Sequence, residues 1–342
     1  MDPLVSIVVA PREGFSTVLM VLDELLASTD SSVHIVVVEG GSQPWVIDGL
    51  RNHRQSGRID WIHLDYMPTP NEARNIGASA TNSRYIIFID NDIAFEPDWL
   101  EELMVVAEDH LADVVGPTIC IGPPRASIIH HAGGILQGCV IDNNWSLYEE
   151  HRLKDLPFEM DAVSHLPVEI DVVEFHCMMV RRSALEAMGP LDERLSSREE
   201  KDFALRCIDN GLKVRYACRS IVTYMAKVPP KRHDPTYLLF RWSRTNALSS
   251  LETFEETWGV ILNRHKVLNL WIGGHRQRLM KIAHPWLGWI YPKRLGRWLA
   301  NFLASREPLN PRPASWKPRI PPPPTRTARQ LIENRGNGKP KQ

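Results

Sequence analysis

Short apolar runs that alternate with helical patterns dominate the first 120 residues and constrain the fold more than any other feature. The runs show little polar alternation, which is typical of strands covered on both faces, as in a parallel sheet. Between the first two runs, apolar residues recur at helical spacing over residues 18–26. This order of strand, helix and strand predicts a doubly wound, mostly parallel α/β sheet. The predicted strands lie at residues 5–9, 33–38, 59–64, 85–89 and 114–115.

The overall composition narrows the class of protein. Forty Lys and Arg residues stand against 41 Asp and Glu residues, whereas a dedicated nucleic-acid-binding domain is normally clearly basic. The five cysteines include no CxxC pair, which favours free thiols in a reducing compartment. The sequence shows neither a signal peptide nor an apolar run near the ~20 residues of a membrane-spanning helix. We therefore expect no nucleic-acid partner, and a location in the cytoplasm or at the cytoplasmic face of the membrane.

The sequence changes character beyond about residue 255. Residues 256–306 form a predicted helical, Trp-rich segment, and residues 264–306 contain nine Lys or Arg residues without any Asp or Glu. Aromatic and basic residues without acids are typical of a helix in the membrane interface, so one interpretation is a peripheral membrane contact through residues 264–306. The other is a helical cap whose Trp side chains pack on the preceding domain.

The last segment, residues 307–342, is rich in proline. Eight prolines lie between Pro308 and Pro324, and a basic, Gly-containing tail follows. This composition predicts extended polyproline or disorder.

A predicted buried strand that ends in Asp-x-Asp is the strongest chemical signal. Residues 85–89 lead into Asp90-Asn91-Asp92, and open α/β sheets bind ligands at the carboxyl ends of their strands. Two such carboxylates can serve one Mg²⁺ or Mn²⁺ ion, because these cations prefer oxygen ligands and share them with substrate phosphates. A polar turn has the same composition, so the motif alone leaves both interpretations open.

A second group of carboxylates opens a helix predicted over residues 198–210. Glu199, Glu200 and Asp202 fall in its first turn, where the helix dipole stabilises negative charge without any further function. The chemical alternative is a general base, since neighbouring carboxylates raise one another's pKa toward neutral pH. Taken alone, the helix favours the structural explanation.

The ordered set of motifs resembles the family 2 glycosyltransferases, which have the GT-A fold. The resemblance extends over most of residues 4–250 and keeps the family's order and spacing. It implies a glycosyltransferase domain at residues 1–255, which precedes the helical appendage at 256–306 and the tail at 307–342 that the composition predicts. The segments that carry it are residues 6–11, 36–42, 73–77, 88–92, 96–100, 130–134, 179–184, 189–194 and 199–206.

The resemblance implies a function and a role for each matching polar residue. The enzyme would transfer a sugar, with inversion, from a nucleotide-diphosphate sugar (a UDP-sugar by default) to a hydroxyl of a saccharide or lipid-linked acceptor. We expect such a reaction to take part in polysaccharide or glycolipid assembly. Asp90 and Asp92 would hold Mn²⁺ or Mg²⁺ on the diphosphate, and Glu200 would be the catalytic base, with Glu199 and Asp202 beside it. The residues implied in substrate binding are Pro11, Glu39, Arg74, Asn75, Asp90, Gly134 and Arg206.

Asp202 and Arg206 are equally candidates for bracing their helix. Adjacent histidines on a strand point to opposite faces, which argues against a transition-metal pair at His130 and His131. We interpret these two histidines as structural or as lining the acceptor side. For His176 and Trp145, core packing is the first expectation and an acceptor-side position the second.

Two positions depart from the family pattern. Glu200 stands where the base is usually Asp, which moves the carboxylate by about one C–C bond, and a shift of ~1 Å can be costly in catalysis. Met225 stands where many relatives carry a metal-binding His, and a thioether is a poor ligand for a hard cation. The metal would then rely on Asp92, phosphates and water, or on His233 from the next loop.

These departures keep a catalytically degenerate, nucleotide-sugar-binding protein as an alternative. A nucleotidyltransferase is a weaker one, because residues 10–14 contain one Gly and one Arg where such enzymes place a Gly-rich, basic phosphate loop.

Overall fold

The computed structural model describes residues 3–10, 15–55, 57–141, 144–225, 235–274, 276–277, 280, 284–290, 293–306, 310 and 312–336. The strands are β1 (Val5–Ala10), β2 (His34–Gly40), β3 (Ile59–Leu64), β4 (Tyr85–Asp90), β5 (Ile93–Phe95), β6 (Val114–Ile121), β7 (Ile128–His131), β8 (Gly134–Ile141), β9 (Asn144–His151), β10 (Cys177–Arg181) and β11 (Val214–Tyr224). The helices are α1 (Val18–Ser28), α2 (Pro44–Arg54), α3 (Pro70–Ser79), α4 (Trp99–Asp109), α5 (Met160–Ser164), α6 (Arg182–Met188), α7 (Glu199–Asp209), α8 (Pro235–Arg241), α9 (Arg244–Trp258), α10 (Lys293–Ala304) and α11 (Ala328–Gly336). A π-helical segment (Lys266–Ile272) and a 3₁₀ turn (Pro285–Gly288) lie between α9 and α10.

One central sheet has the strand order β3-β2-β1-β4-β10-β6-β11-β5, with β7 paired to β6. The first four strands of this order pair in parallel, as do β6 and β11. The predicted α/β class is therefore confirmed. The sheet is more mixed than the prediction, because β10 enters between β4 and β6 antiparallel to both.

Helices cover both faces of the sheet, as the apolar runs predict. Every residue of β1 and β4 is buried; Ile7 belongs to the core under α1, α2 and α4, and Val8 to the core with α3, α6 and α7. Each such buried aliphatic side chain contributes ~1.5–3 kcal/mol. Helix α3 can approach β1 closely because Gly77 has no Cβ atom, which would lie 2.3 Å from Cγ1 of Val8.

Residues 121–168, where Gly and Pro interrupt the sequence pattern, contain the strands β7, β8 and β9. β7 extends the central sheet, and β8 and β9 form a separate antiparallel hairpin. No residue of β9 is fully buried, so the hairpin lacks the apolar run that marks a covered strand. This weak patterning explains why sequence periodicity misses it.

The segment after residue 255 begins inside a helix, since α9 runs to Trp258. Beyond it, Val267, Ile272, Met280 and Leu287 form an apolar cluster with residues of α8 and α9. Among the Trp side chains that the structure describes in this segment, those at positions 286, 289 and 298 are exposed. Within the described part of the chain, no helix is long and apolar enough to cross a membrane.

The proline-rich end of the chain forms a segment that we call the C-terminal strap (residues 310 and 312–336). Its residues 312–327 contain neither a helix nor a strand, and several residues of the strap contact the preceding domain. Asn310 exchanges hydrogen bonds with the backbone of Met67, at 2.8 and 2.9 Å. Trp316 donates to Glu72 at 2.6 Å. At the far end, Leu331 of α11 is buried in a cluster with α7 and α9.

Candidate active site

The carboxyl end of β4, at the centre of the sheet, carries the predicted Asp-x-Asp motif. Asp90, Asn91 and Asp92 are all buried, and the backbone N–H of Met225 donates to the carbonyl of Asp92 at 2.9 Å. Burial of two carboxylates is unfavourable unless they are paired or coordinate a cation. An ordinary solvated turn would leave them exposed, so the burial distinguishes this motif from a plain loop.

Arg74 of α3 is the cationic centre of the site. Its Nη2 donates to Asp90 Oδ1 at 3.0 Å, and its guanidinium lies 3.8 Å from the centroid of the Phe175 ring. Burial lowers the pKa of Arg74, and the charges of Asp90, Glu199 and Glu200 oppose this change. The same electrostatic neighbourhood therefore joins the end of β4 to the start of α7.

The imidazole of His176 is buried, as predicted, but the sequence did not predict its position beside Asp90. Its Nδ1 lies 3.2 Å from Asp90 Oδ2. One ligand atom each from Asp90, Asp92 and His176 fits within a 4.8 Å span. The contact depends on the antiparallel pairing of β10 with β4. Sequence periodicity cannot reveal this pairing.

The two adjacent glutamates at the start of α7 have different environments. Glu199 is buried and its Oε1 accepts from Arg241 Nη2 at 3.2 Å. Glu200 is only half-buried. The residue before them, Arg198, has φ 71°, and a left-handed backbone at a non-glycine residue is a feature that clusters at functional sites.

Arg241, at the end of α8, was not predicted as a site residue. It is buried against Glu199 and Trp242. Its positive charge adds to the effect of burial in lowering the pKa of Arg74. The sequence gives little warning of this position, because Arg241 lies more than 30 residues beyond the last matching motif.

Asp202 and Arg206 face away from this centre, on the side of α7 that contacts α9 and the C-terminal strap. Asp202 accepts from Trp258 Nε1 and from Arg206 Nε, both at 2.8 Å. Arg206 also donates to the carbonyl of Pro322 at 2.9 Å. Burial raises the pKa of Asp202, while Arg206 and Trp258 counteract it. These contacts agree with the bracing role, while catalysis by Asp202 and substrate binding by Arg206 stay predictions.

Asn75 sits one residue after Arg74 but points its amide elsewhere. The amide nitrogen donates to the Leu191 carbonyl at 2.8 Å and to Glu193 at 3.0 Å, and the amide oxygen accepts from the Leu191 N–H at 2.9 Å. The structure thus ties Asn75 and α3 to the loop after α6, and a role for Asn75 in substrate binding stays a prediction.

Glu39 ends β2 at the same edge of the sheet and is buried. Its Oε1 accepts from Trp61 Nε1 at 3.0 Å and from His63 Nδ1 at 2.5 Å. Its Oε2 has no hydrogen-bond partner among the described residues, so one acceptor remains for a ligand. Pro11, predicted beside it, lies outside the described residues, as does His233.

The two adjacent histidines point in opposite directions, as predicted. His130 lies 3.3 Å from Glu174, whereas His131 lies 3.2 Å from Glu149. Burial disfavours a charged His131, yet Glu174 and Glu149 raise its pKa above the ordinary value. Gly134 is near this second pair, because a Cβ there would lie 2.4 Å from Glu149 Oε1.

Trp145 packs away from these acids. It lies against Gly138 in the β8–β9 hairpin and borders the cluster of α7 and α9, which agrees with core packing.

Comparisons with known proteins give relatives of limited coverage. The pre-mycofactocin glycosyltransferase of Mycobacterium tuberculosis, in strains CDC 1551 and H37Rv, is 28% identical over 168 residues, or 48% of this chain. The match spans 32% of that protein, so this chain corresponds to about a third of it. An uncharacterized glycosyltransferase of Haemophilus influenzae is 21% identical over 223 residues, 65% of this chain and 67% of the relative.

Among solved structures, the crystal structure of GalNAc-T7 with UDP, GalNAc and Mn²⁺ covers 88% of this chain and 55% of its own. The TM-score is 0.53 and the identity 15%, so the likeness concerns the fold and confirms the predicted GT-A architecture. The family model Glycosyl transferase family 2 matches residues 6–189, more than half of the 342 residues. The chain therefore belongs to glycosyltransferase family 2.

Proposed function

We propose that the protein is an inverting glycosyltransferase that moves a sugar from a nucleotide-diphosphate sugar, by default a UDP-sugar, to a hydroxyl acceptor. The observation that carries the proposal is the buried group of Asp90, Asp92, Arg74 and Arg241 beside the half-buried Glu200. It combines acidic metal ligands, cations for a diphosphate and an accessible carboxylate in one neighbourhood. A protein that only binds a nucleotide would not need the last of these.

The donor set fits a hard divalent cation. Asp90 and Asp92 offer buried carboxylate oxygens, the ligands that Mn²⁺ and Mg²⁺ prefer, and the GalNAc-T7 structure contains Mn²⁺ with UDP. When bound, such an ion neutralises the charge that develops on the leaving nucleotide diphosphate. Arg74 and Arg241 would act on the same charge from the protein side, and they lie on α3 and α8 respectively.

Glu200 is the better base of the two adjacent glutamates. The buried carboxylate of Glu199 already accepts a hydrogen bond from Arg241, which gives it a structural role. Glu200 is partly open to solvent, so an acceptor hydroxyl can reach it and give up its proton as the oxygen attacks the anomeric carbon. A single in-line displacement of this kind inverts the configuration at that carbon.

The free Oε2 of Glu39 is the feature that would recognise the base of the nucleotide. A buried carboxylate oxygen without a partner is unfavourable, and the imide N–H of uracil would satisfy it. This supports UDP as the default nucleotide. Oε1 is occupied by Trp61 and His63, so the carboxylate is held in position before the ligand arrives.

The test is hydrolysis and binding across a panel of nucleotide sugars, with Mn²⁺, with Mg²⁺ and with chelator. We expect one donor to be hydrolysed only with metal, Asp92→Ala to lose donor binding, and Glu200→Gln to bind the donor but turn over at least 100-fold more slowly. Glu199→Gln is the matched control for a glutamate in the same turn. Donor binding without turnover in any metal, even with acceptor added, would instead favour the degenerate binding protein.

We also propose that the appendage holds the enzyme on an anionic membrane, where a lipid-linked acceptor for polysaccharide or glycolipid assembly would lie. An exposed aromatic surface, defined as Trp286, Trp289, Leu295, Trp298 and Phe302, supports this. Trp289 is 90% and Trp298 59% exposed, while Leu299 and Leu303 of the same α10 helix pack on the apolar cluster below.

The charge around this surface matches anionic headgroups. Lys293 and Arg294 at the start of α10 are exposed, and residues 264–306 contain no acid. Each basic residue near such a surface contributes about 1 kcal/mol, and the aromatic side chains add apolar contact.

Co-sedimentation with vesicles that contain phosphatidylglycerol tests the membrane proposal. We expect binding at low salt that Trp289→Ser combined with Trp298→Ser reduces at least fivefold. Trp45→Ser, on the partly exposed Trp of α2, is the control and should leave binding unchanged. Equal binding of both variants to the vesicles, or no binding of the wild type, would refute the proposal.

A further inference from the structure

We propose that His176 is a third protein ligand of the cation held by Asp90 and Asp92. It would supply the imidazole that Met225 does not. The inference rests on the proposed function for the presence of a cation, but it concerns a different residue on a different strand. It makes its own prediction about the chemistry of the metal.

The register of the sheet fixes His176 beside the motif. β10 pairs antiparallel with β4 so that Cys177 is opposite Ile89, and the Asp90 N–H donates to the His176 carbonyl at 3.3 Å. The Nδ1 of His176 lies 3.2 Å from Asp90 Oδ2. Adjacent ligands at ~2.1 Å from a metal in an octahedron are about 3.0 Å apart, so this separation already matches one edge of a coordination shell.

The other ring nitrogen of His176 has the neighbour that a ligating histidine usually has. Nε2 lies 3.6 Å from Glu174 Oε2, and histidine ligands generally use their second nitrogen on a carboxylate or carbonyl that sets the tautomer and orientation of the ring. With Nε2 directed to Glu174, Nδ1 is left to face Asp90.

The ring is also held in place by packing. It is fully buried, its centroid is 4.4 Å from that of Tyr224, and the His130 ring meets it edge-on at 5.4 Å. A ligand fixed in this way is preorganised, because little rearrangement is needed to bind the ion.

Met225 supports the site through its backbone, although its side chain is not a ligand. Its backbone N–H holds the Asp92 carbonyl, while Tyr224 beside it packs on His176. The strand end that carries a metal-binding histidine in many relatives thus supports the imidazole from β10 in this chain. The donor group moves from β11 to the start of β10, and the cation remains near Asp90 and Asp92.

A nitrogen donor changes the preference of the site. Imidazole suits transition metals, whereas a shell of carboxylate, phosphate and water suits Mg²⁺ equally well. We therefore expect the site to select Mn²⁺ or Co²⁺ over Mg²⁺, and this selectivity should disappear when His176 is replaced.

The experiment is pulsed electron paramagnetic resonance of Mn²⁺ bound to the full chain in the presence of UDP. Wild type should show the modulation of a directly bound imidazole ¹⁴N, and labelling the histidines with ¹⁵N should change it, a result that needs no variant. His176→Gln should abolish the modulation and raise the Kd for Mn²⁺ at least tenfold, with less than a threefold change for Mg²⁺. His130→Gln, which removes the neighbouring imidazole, is the control and should retain the modulation.

Bound Mn²⁺ without imidazole modulation in the wild type would overturn the inference, as would equal Mn²⁺ affinity for wild type and His176→Gln. Failure of the proposed function looks different. In that case the modulation is present and depends on His176, but no nucleotide sugar is turned over.

Discussion

Replacing Asp202 with Ala separates the bracing role of α7 from the catalytic role that we propose for Glu200. Asp202 is buried and accepts two hydrogen bonds, from Arg206 and Trp258. Its removal leaves the Arg206 guanidinium, whose side chain is only 7% exposed, without its carboxylate. Breaking a buried ion pair in this way costs about 3–5 kcal/mol, and the unpaired indole N–H of Trp258 adds about 1 kcal/mol or more.

The two losses overlap, so we expect Asp202→Ala to lower the free energy of unfolding by about 4 kcal/mol. This is a large part of the ~5–15 kcal/mol that stabilises a typical protein. At about 2–3 °C per kcal/mol for a chain of this size, the Tm should fall by about 8–12 °C. Calorimetry and urea unfolding followed by Trp fluorescence would measure both quantities.

Donor hydrolysis is then compared at a temperature well below both Tm values. There we expect kcat of Asp202→Ala to stay within about threefold of wild type. Glu200→Gln should show the reverse behaviour, with a Tm within about 2 °C of wild type and a loss of at least 100-fold in kcat. An Asp202→Ala protein that keeps the wild-type Tm but loses turnover would refute the reasoning and return Asp202 to the catalytic group.

Four further predictions follow from single contacts. Arg241→Ala should weaken UDP binding, measured by calorimetry, about tenfold, because it removes one of two buried cations near the diphosphate; Arg241→Lys should recover part of the loss. Gly40→Ala should lower both Tm and UDP affinity, since its Cβ would lie 1.9 Å from the carbonyl oxygen of Tyr66; unchanged values in both assays would contradict this. Leu331→Ala should cost about 2–5 kcal/mol in urea unfolding and expose the C-terminal strap to limited proteolysis, whereas an exposed-site control, Leu111→Ala, should do neither. Neighbouring carboxylates overcome the effect of burial and raise the pKa of His131 in the folded protein. The contribution of His131 to stability is therefore complete below the unfolded pKa of ~6.5 and declines as the pH rises through the folded pKa. Urea unfolding between pH 6 and 9 should show a flatter pH dependence for His131→Asn than for wild type.

The parts of the fold that sequence predicted are those set by local rules. Thr69 and Glu72, three residues apart, match the sequence pattern of a capping box and form one at the start of α3: the Thr69 hydroxyl accepts from the Glu72 N–H at 3.4 Å, and Glu72 accepts from the Thr69 N–H at 3.3 Å. The buried strands of the first half need both faces covered, so continuous apolar runs identify them. The Asp-x-Asp motif could be placed at the end of such a strand because it directly follows one of these apolar runs.

The parts that sequence did not predict depend on pairing between distant segments. His176 reaches Asp90 only because β10 runs antiparallel beside β4, and the amino-acid pattern of β10 does not encode its direction. Arg241 reaches Glu199 from α8 across 42 residues. Asn75 matches the family motif, yet its amide is used by the loop at Leu191, a contact that a motif cannot reveal.

The position of the C-terminal strap has a consequence for how the protein is made. Trp316 contacts Glu72 across 244 residues and Arg206 contacts Pro322 across 116. At a synthesis rate of ~5–20 residues per second, α3 leaves the ribosome roughly 10–50 s before the strap residue that packs on it. Until the strap is synthesised, α3 and α7 lack their contacts with it. The two helices therefore either fold without these contacts or fold only after the strap has left the ribosome. Contacts of such long sequence separation also slow folding, so the docking of the strap should follow the folding of the domain on which it packs.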